Sequence, residues 1–154
     1  MAHVTSNPAL HPARNASLNR EHSAEDAAKL MFRLLVGLLL LIHGIGKMQS
    51  GPDQIIEMVS RTGLPAATAY LVYIGEVLAP ILVIAGLWTR PAALVAAINM
   101  LVAVLLVHTA DLLSLGDQGG YALELQAFYL FGALAIVLLG AGRYSIGGLN
   151  GRWN

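Results

Sequence analysis

The segment from Arg33 to Lys47 constrains the fold of this chain more than any other. Its nine residues from Leu34 to Ile42 carry no polar side chain, and His43 and Lys47 follow within the next five positions. Such a run is typical of a helix that enters a lipid bilayer and ends in polar residues at its surface. Residues four apart share one face of a helix, so His43 and Lys47 are predicted to point in the same direction.

The composition of the chain also indicates a membrane protein. Hydrophobic residues make up 56% of the 154 residues and charged residues only 12%, whereas about a quarter of an average soluble domain is charged. Nine basic residues balance nine acidic ones, which leaves no basic surface for nucleic acid. The chain contains no cysteine, so disulfides, thiolate catalysis and cysteine-ligated metals are excluded. We therefore expect no metal site and no covalently bound cofactor, and any electron carrier must be borrowed.

The apolar pattern predicts an all-α membrane protein built as a four-transmembrane-helix bundle. The predicted spans cover about residues 29–46, 66–87, 92–109 and 121–139. A short amphipathic helix is predicted within residues 48–65, in the first outer loop, because helix-start residues open this stretch and Gly63 and Pro65 close it.

Three regions follow from this division of the chain. Residues 1–28 are polar and lack the apolar core of a cleavable signal, so they are predicted to form a flexible cytoplasmic tail. Residues 29–142 form the membrane domain, and residues 143–154 a cytoplasmic C-terminal tail. The tight turn at residues 89–91 makes the second and third spans antiparallel neighbours.

The distribution of cations predicts the orientation in the membrane. With the amino terminus in the cytoplasm, seven of the nine basic residues lie inside and only Lys47 and Arg61 lie outside. Both termini are then cytoplasmic, and the loops 48–65 and 111–120 face outward. Arg33 lies one turn inside the first span, and its side chain is expected to reach back to the membrane interface.

Five polar residues in the outer half of the predicted bundle are candidates for binding a cofactor. They are His43, Lys47, Glu76, His108 and Glu124. An ionised side chain in mid-membrane costs about 3 kcal/mol or more unless it is paired, so Glu76 is expected either to pair with a cation or to be protonated. Lys47 is the first candidate partner of Glu76, and Glu124 is the competing one. No residue is assigned a catalytic role.

Each of these residues also has a structural interpretation. Lys47 could be an interfacial anchor, and His43 and His108 could be ordinary residues of the membrane interface. Glu76 could equally serve a function or a structural ion pair. Haem ligation by the two histidines and a transport pathway are both disfavoured, the latter because the inner half has no polar stripe. Asn99 is interpreted as a helix-packing residue.

The sequence resembles the DoxX family of small four-helix bacterial membrane proteins over about residues 30–147. The matching positions are Arg33, His43-Gly44-Ile45-Gly46-Lys47, Gly63-Leu64-Pro65, Glu76, Pro80, Gly86-Leu87-Trp88-Thr89-Arg90, Met100, His108, Gly119-Gly120, Glu124 and Gly140-Ala141-Gly142-Arg143-Tyr144-Ser145. Similar proteins often continue with leucine and aspartate, where this chain has Ile146 and Gly147. Any role of that aspartate cannot be transferred.

The resemblance implies a multi-pass protein of the bacterial cytoplasmic membrane that associates with respiratory or redox complexes. Relatives include a subunit found with quinone-linked thiosulfate oxidation and others linked to oxidative or thiol stress. The leading hypothesis is therefore an accessory subunit of a quinone-linked complex, with the five outer polar residues around a quinone headgroup. Imidazole and ammonium groups can donate hydrogen bonds to quinone oxygens, and a carboxylate can exchange protons. The alternatives are a structural or assembly subunit without a ligand, and a small-solute carrier; a homo-oligomer is compatible with all three.

Overall fold

The computed structural model describes residues 10–116, 119–148, 151 and 153–154, with side chains described from residue 21 onward, and its regular secondary structure there is helical. Five helices follow one another: α1 (Leu10–Ser50), α2 (Asp53–Arg61), α3 (Ala66–Ala85), α4 (Thr89–Val107) and α5 (Glu124–Leu139). Within these ranges the one β-type pairing is an isolated bridge between Leu115 and Tyr121. The predicted all-α class is confirmed.

Three of the described helices are long and apolar enough to cross a bilayer. They are the Glu21–Ser50 part of α1, α3 and α4. Helix α5 is also apolar but has 16 residues, or about 24 Å at 1.5 Å per residue, against a hydrocarbon core of about 30 Å. The described part of the chain thus provides three to four membrane helices.

Helix α1 begins well before its predicted start near Lys29. Residues 10–28 continue the same helix, while residues 1–9 of the predicted cytoplasmic tail lie outside the described residues. Alanines at 24, 27 and 28 have the highest helix propensity, and Glu25 pairs with Lys29 one turn later at 2.6 Å. The bounds of α3, α4 and α5 differ by no more than three residues from the predicted ones.

Small side chains on α4 form the centre of the bundle. Ala92, Ala93, Ala96 and Ala97 are all buried, and α4 packs against both α3 and α5. Without large side chains between them, membrane helices approach closely and gain dispersion contacts. Helix α1 packs on α3 and α5 from the other side through Val36 and Leu40.

The outward faces of the long helices are apolar. Only 28% to 33% of the most apolar window of each of the three long spans is buried inside the protein. Large side chains such as Leu138 (77% exposed) and Phe131 (66% exposed) point away from the bundle. A surface of this kind is stable in lipid and not in water, so the protein contacts the bilayer.

The C-terminal segment, which we define as residues 140–148, 151 and 153–154, folds back across one end of the bundle. The amide groups of Ile146 and Gly147 donate to the carbonyls of Ala85, the last residue of α3, and of Gly86, which follows it. The Asn154 side chain accepts a hydrogen bond from the Thr89 hydroxyl at the start of α4 (2.9 Å). The segment therefore ties together the neighbouring ends of α3 and α4.

Arg33 is buried beneath this segment, and the expectation that it reaches the membrane interface is wrong. Its side chain is 1% exposed. Its Nη1 donates to the carbonyl of Ala141 (2.9 Å) and its Nη2 to that of Tyr144 (2.7 Å). These carbonyls follow the C-terminal end of α5, where the helix dipole favours a cation. Backbone oxygens thus replace the water that a snorkelling arginine would have reached.

Candidate functional site

Glu76 lies in a short π-helical turn, Ile74–Leu78, in the middle of α3. There the amide of Ala79 donates to the carbonyl of Ile74, five residues back. Pro80 explains this widening, because proline has no N–H and its ring clashes with the carbonyl four residues earlier, which is that of Glu76. Such turns recur at functional sites in proteins. The sequence Glu-Val-Leu-Ala-Pro thus creates the local geometry that presents Glu76.

Two glycines allow the neighbouring helices to reach this turn. Gly44 of α1 lies directly against the backbone carbonyl of Glu76, and an added Cβ would overlap with that oxygen. Gly75 of α3 lies equally close to the side chain of Asn99 on α4. Both positions are buried. Only hydrogen fits at either position, so α1, α3 and α4 meet around Glu76.

Lys47 and Glu76 form an ion pair between α1 and α3. The Lys47 Nζ lies 2.6 Å from the Glu76 Oε1, and the Glu76 side chain is fully buried while that of Lys47 is 34% exposed. The predicted pairing of Glu76 with Lys47 is confirmed. Asn99 adds a second donor, because its Nδ2 lies 3.1 Å from the same oxygen. Three helices therefore converge on a single carboxylate oxygen.

The other carboxylate oxygen, Oε2 of Glu76, is buried and has no hydrogen-bond partner among the described residues. Buried polar atoms almost always have a partner, so such an exception calls for an explanation. The two oxygens of Glu76 are thus chemically different: Oε1 accepts two donors and Oε2 accepts none. An atom in that state can take a proton or accept a hydrogen bond.

A pocket of about 510 Å³ adjoins the Lys47 end of α1. It lies between α1, the first turn of α2 and the middle of α5. Ten residues line it: Leu39, Ile42, His43, Gly46, Lys47, Ser50, Gly51, Gln54, Ile55 and Tyr129. Lys47 belongs both to this lining and to the ion pair with Glu76. Its ammonium group therefore connects the pocket with the buried carboxylate.

His43 and Tyr129 add aromatic side chains to the pocket. Their ring centroids are 6.3 Å apart and their planes are tilted by 49°. His43 is exposed on α1 and Tyr129 is 5% exposed on α5. His43 and Lys47 do share one side of α1, as their spacing predicts. The pocket thus combines an imidazole, an ammonium and a phenol with an apolar rim.

His108 and Glu124 lie in a different set of contacts. The His108 Nδ1 pairs with Asp111 Oδ2 at 3.0 Å, and its Nε2 is 3.4 Å from the Gln126 amide nitrogen. Glu124 is exposed at the start of α5, beside Gly120. Among the described residues neither side chain forms a hydrogen bond or ion pair with Lys47 or Glu76. Of the five predicted residues, the structure brings together His43, Lys47 and Glu76.

Asn99 and Tyr129 were not among the predicted site residues. The interpretation of Asn99 as a packing residue omitted its hydrogen bond to Glu76. A usable signal existed, since an amide in an otherwise apolar span needs a polar partner and Glu76 is the polar residue at mid-depth of the adjacent span. Tyr129 gave no signal, because tyrosine is common in membrane helices near the interface.

Taken together, the fold and this site define a helical membrane protein whose spans enclose a Lys–Glu–Asn cluster beside a pocket. Comparison with known families agrees with that class. The family model described as DoxX matches residues 28–109, more than half of the chain. The chain therefore belongs to the DoxX family.

Two curated relatives support this membership. The "Uncharacterized membrane protein Rv3486" of Mycobacterium tuberculosis is 33% identical over 135 residues, covering 81% of this chain and 82% of the relative. "Putative oxidoreductase CatD" of Bacillus subtilis is 31% identical over 101 residues, covering 66% of this chain and 75% of the relative. No solved structure gives a significant match.

Proposed function

We propose that this protein is an accessory subunit of a quinone-linked redox complex in a bacterial cytoplasmic membrane. The pocket beside Lys47 takes the quinone headgroup. The observation that carries the proposal is the position of Lys47, which lines a pocket and also forms an ion pair with the fully buried Glu76. The name of CatD supports redox chemistry within this family.

The residues of the pocket fit a headgroup of this class. A quinone presents two carbonyl oxygens on a flat apolar ring, and it needs donors for the oxygens and apolar contacts for the ring. Lys47 and His43 supply the donors, and Leu39, Ile42 and Ile55 supply apolar surface. Glu76 is fully buried and does not line the pocket, so it acts there through its ion pair with Lys47. Leu39 and Ile42 are 41% and 66% exposed on the outward face of α1, which opens the pocket towards lipid.

A bound quinone would supply reversible two-electron chemistry, for which the chain itself has no carrier. The residues of the chain have other tasks. Lys47 and His43 orient and polarise the oxygens, while Glu76 holds the charge of Lys47 in place and can exchange a proton. The electrons must come from a partner subunit, so we expect the isolated protein to bind quinone and to catalyse little.

The arrangement of cations supports a four-span topology with both termini in the cytoplasm. Arg33 and Arg90 both contact the C-terminal segment, and Arg143 contacts Asp26 of α1. These three cations therefore gather at one end of the bundle, and Lys47 lies at the opposite end of the α1 span. This separation matches the excess of positive charge on the cytoplasmic side of membrane proteins.

The proposal is tested by purifying the tagged protein from its native membrane in mild detergent. Quinone is extracted with solvent and quantified, and co-purifying subunits are identified by mass spectrometry. We expect quinone at near-equal stoichiometry together with a redox enzyme, and loss of the quinone in Glu76→Gln and His43→Ala. Arg61→Gln is the matched control, because Arg61 forms an exposed pair with Glu57 on α2, outside the pocket. Absence of quinone from the wild-type preparation contradicts the proposal.

A structural or assembly role is the second candidate, and one observation favours it. The cluster of Lys47, Glu76 and Asn99 joins three helices, and breaking a buried ion pair destabilises a fold strongly. In that case Lys47→Met, which strands the buried Glu76 carboxylate, lowers the yield of folded protein, and partner subunits co-purify with the wild type without quinone. If Glu76→Gln folds and assembles normally but loses quinone, the binding role is supported instead.

A further inference from the structure

Asn99 has a more specific relation to Glu76 than packing requires. Its Nδ2 is 3.1 Å from Oε1, the oxygen that Lys47 also contacts. Both donors therefore bind one oxygen, while Oε2 has no partner among the described residues. A carboxylate free to rotate could offer either oxygen to these donors, since the two oxygens are equivalent acceptors.

The backbone around Asn99 is arranged for this contact. Gly75 precedes Glu76 in the π turn and touches the Asn99 side chain, so a residue with a Cβ at position 75 would displace the amide. The turn in which Glu76 lies follows from Pro80, and its backbone carbonyl is held against Gly44 of α1. Main chain and amide together restrict the rotation of the carboxylate group.

We propose that Asn99 is a positioning residue, which fixes Glu76 so that Oε1 stays with Lys47 and Lys47 stays placed to donate a hydrogen bond to a molecule bound in the pocket. This inference rests on the proposed quinone site for the nature of that molecule. The geometry of Glu76 exists without any ligand, so that part of the inference is independent of the quinone site. The hydrogen bonds on Glu76 and the binding of that molecule are separate observables.

The carboxylate stretching bands of Glu76 report this geometry directly. A carboxylate with donors on one oxygen only has a wider separation between its antisymmetric and symmetric bands than one with donors on both. Protein labelled with ¹³C at glutamate side-chain carbonyls is measured by infrared spectroscopy, and subtraction of the Glu76→Gln spectrum isolates the Glu76 bands. We expect a wide separation in the wild type and a narrower one in Asn99→Leu and Asn99→Ala, because a carboxylate released from Asn99 can turn until Lys47 contacts both of its oxygens.

The control for these variants is Ile98→Ala, on the same turn of α4. Ile98 is 52% exposed on the outward face of the helix, so its truncation changes side-chain volume without touching Glu76. We expect its Glu76 bands to match those of the wild type. If Asn99→Leu fails to fold, Asn99→Ala, which fits any space that asparagine occupies, provides the measurement. Unchanged bands in a folded Asn99 variant overturn the inference.

Binding of decylubiquinone separates this inference from the proposed function. We expect the Glu76 bands of the wild type to shift when decylubiquinone is added, and its affinity to fall on the order of tenfold in Asn99→Ala, as for loss of one hydrogen bond to a charged group. If Asn99 variants change the ligand-free bands but decylubiquinone does not bind the wild type, the positioning role of Asn99 stands and the quinone site fails. If decylubiquinone binds wild type and Asn99→Ala equally well, with unchanged bands, the quinone site stands and the inference fails.

Discussion

At the scale of single residues, the two partners of the ion pair are not equivalent. Glu76 is fully buried, whereas the Lys47 side chain is 34% exposed. Removing Lys47 leaves a carboxylate enclosed by protein with Asn99 as its remaining donor. Removing the charge of Glu76 leaves an ammonium that can turn towards the membrane interface. The two changes should therefore lower the free energy of unfolding by different amounts.

We predict that Lys47→Met destabilises the protein by about 3 kcal/mol or more, the usual cost of stranding a buried charge. Glu76→Gln should cost only about 1 kcal/mol, because the amide can still accept from both donors. Unfolding in the same detergent, followed by circular dichroism, compares the two variants. The double variant should be more stable than Lys47→Met alone. Equal losses of stability in Lys47→Met and Glu76→Gln would contradict this difference between the two partners.

The sequence was sufficient to predict the pair but not the residues around it. A carboxylate at mid-depth of an apolar span needs a cation, and Lys47 was the cation at the end of the adjacent span. The contact of Asn99 depends on the rotation of α4 about its axis, which is set by packing against α3 and α5 and has no local signal. Arg33 was predicted wrongly because nothing in its own neighbourhood shows that residues 141 and 144 return to it.

Arg33 provides a second residue-scale prediction. Two separate nitrogens of its guanidinium bind two carbonyls of the C-terminal segment, and lysine cannot reproduce that fork. In Arg33→Lys we expect the segment to be released more often, so that trypsin cleaves after Arg143 about tenfold faster, as for loss of one hydrogen bond from a charged group. Limited proteolysis followed by mass spectrometry measures the rate. Arg61→Lys, far from the segment, should leave the rate at the wild-type value.

At the scale of elements, the contact between α1 and α3 depends on one glycine. Gly44 lies against the Glu76 carbonyl, the group that Pro80 deprives of its usual helical partner. Gly46, two residues later in the same helix, has no heavy atom within 4 Å of an added Cβ. The two positions therefore form a natural pair for comparison, since their intrinsic helix propensities are the same.

Gly46→Ala should stabilise the protein by about 0.5–1 kcal/mol, because alanine loses less backbone entropy in a helix. Gly44→Ala should destabilise it by about 1–3 kcal/mol, because the methyl group forces α1 and α3 apart. It should also weaken the Lys47–Glu76 contact. Both values come from unfolding in one detergent. A stabilising Gly44→Ala would mean that α1 and α3 are not in direct contact at Glu76.

The π turn in α3 was foreseeable in part. Pro80 stands four residues after Glu76, and that spacing alone predicts a disturbed helix at the glutamate. The sequence cannot tell a kink from a widened turn, because the outcome depends on whether a neighbouring helix supports the displaced carbonyl. Here Gly44 of α1 does so. The predicted amphipathic helix is observed as α2. That its first turn lines the pocket could be learned only from the three-dimensional fold.

At the scale of the whole molecule, different polar groups lie at the two ends of the helix bundle. One end holds the ion pair and the pocket; the other holds Arg33 beneath the C-terminal segment. The chain has no cysteine, so single cysteines can be placed at either end without background. Leu113 is 98% exposed near the pocket end of α4, and Tyr144 is 47% exposed in the C-terminal segment.

We predict that an impermeant maleimide labels Leu113→Cys in intact spheroplasts and labels Tyr144→Cys only after permeabilisation. Ser60→Cys on α2 should behave like Leu113→Cys, and Ala27→Cys on α1 like Tyr144→Cys. This pattern follows from four spans with both termini in the cytoplasm. Labelling of residues 113 and 144 from the same side would contradict the topology.

The most direct test of the central claim, that the pocket beside Lys47 takes a quinone headgroup, is photolabelling with an azidoquinone in membranes that contain the protein. Labelled peptides are identified by mass spectrometry, with and without excess decylubiquinone. We predict label on the lining of the pocket, in residues 39–55 or at Tyr129, which decylubiquinone displaces and which Lys47→Met greatly reduces. Label spread over the outward faces of α4 and α5, unaffected by either change, would contradict the claim and leave the Lys47–Glu76 pair as part of the architecture.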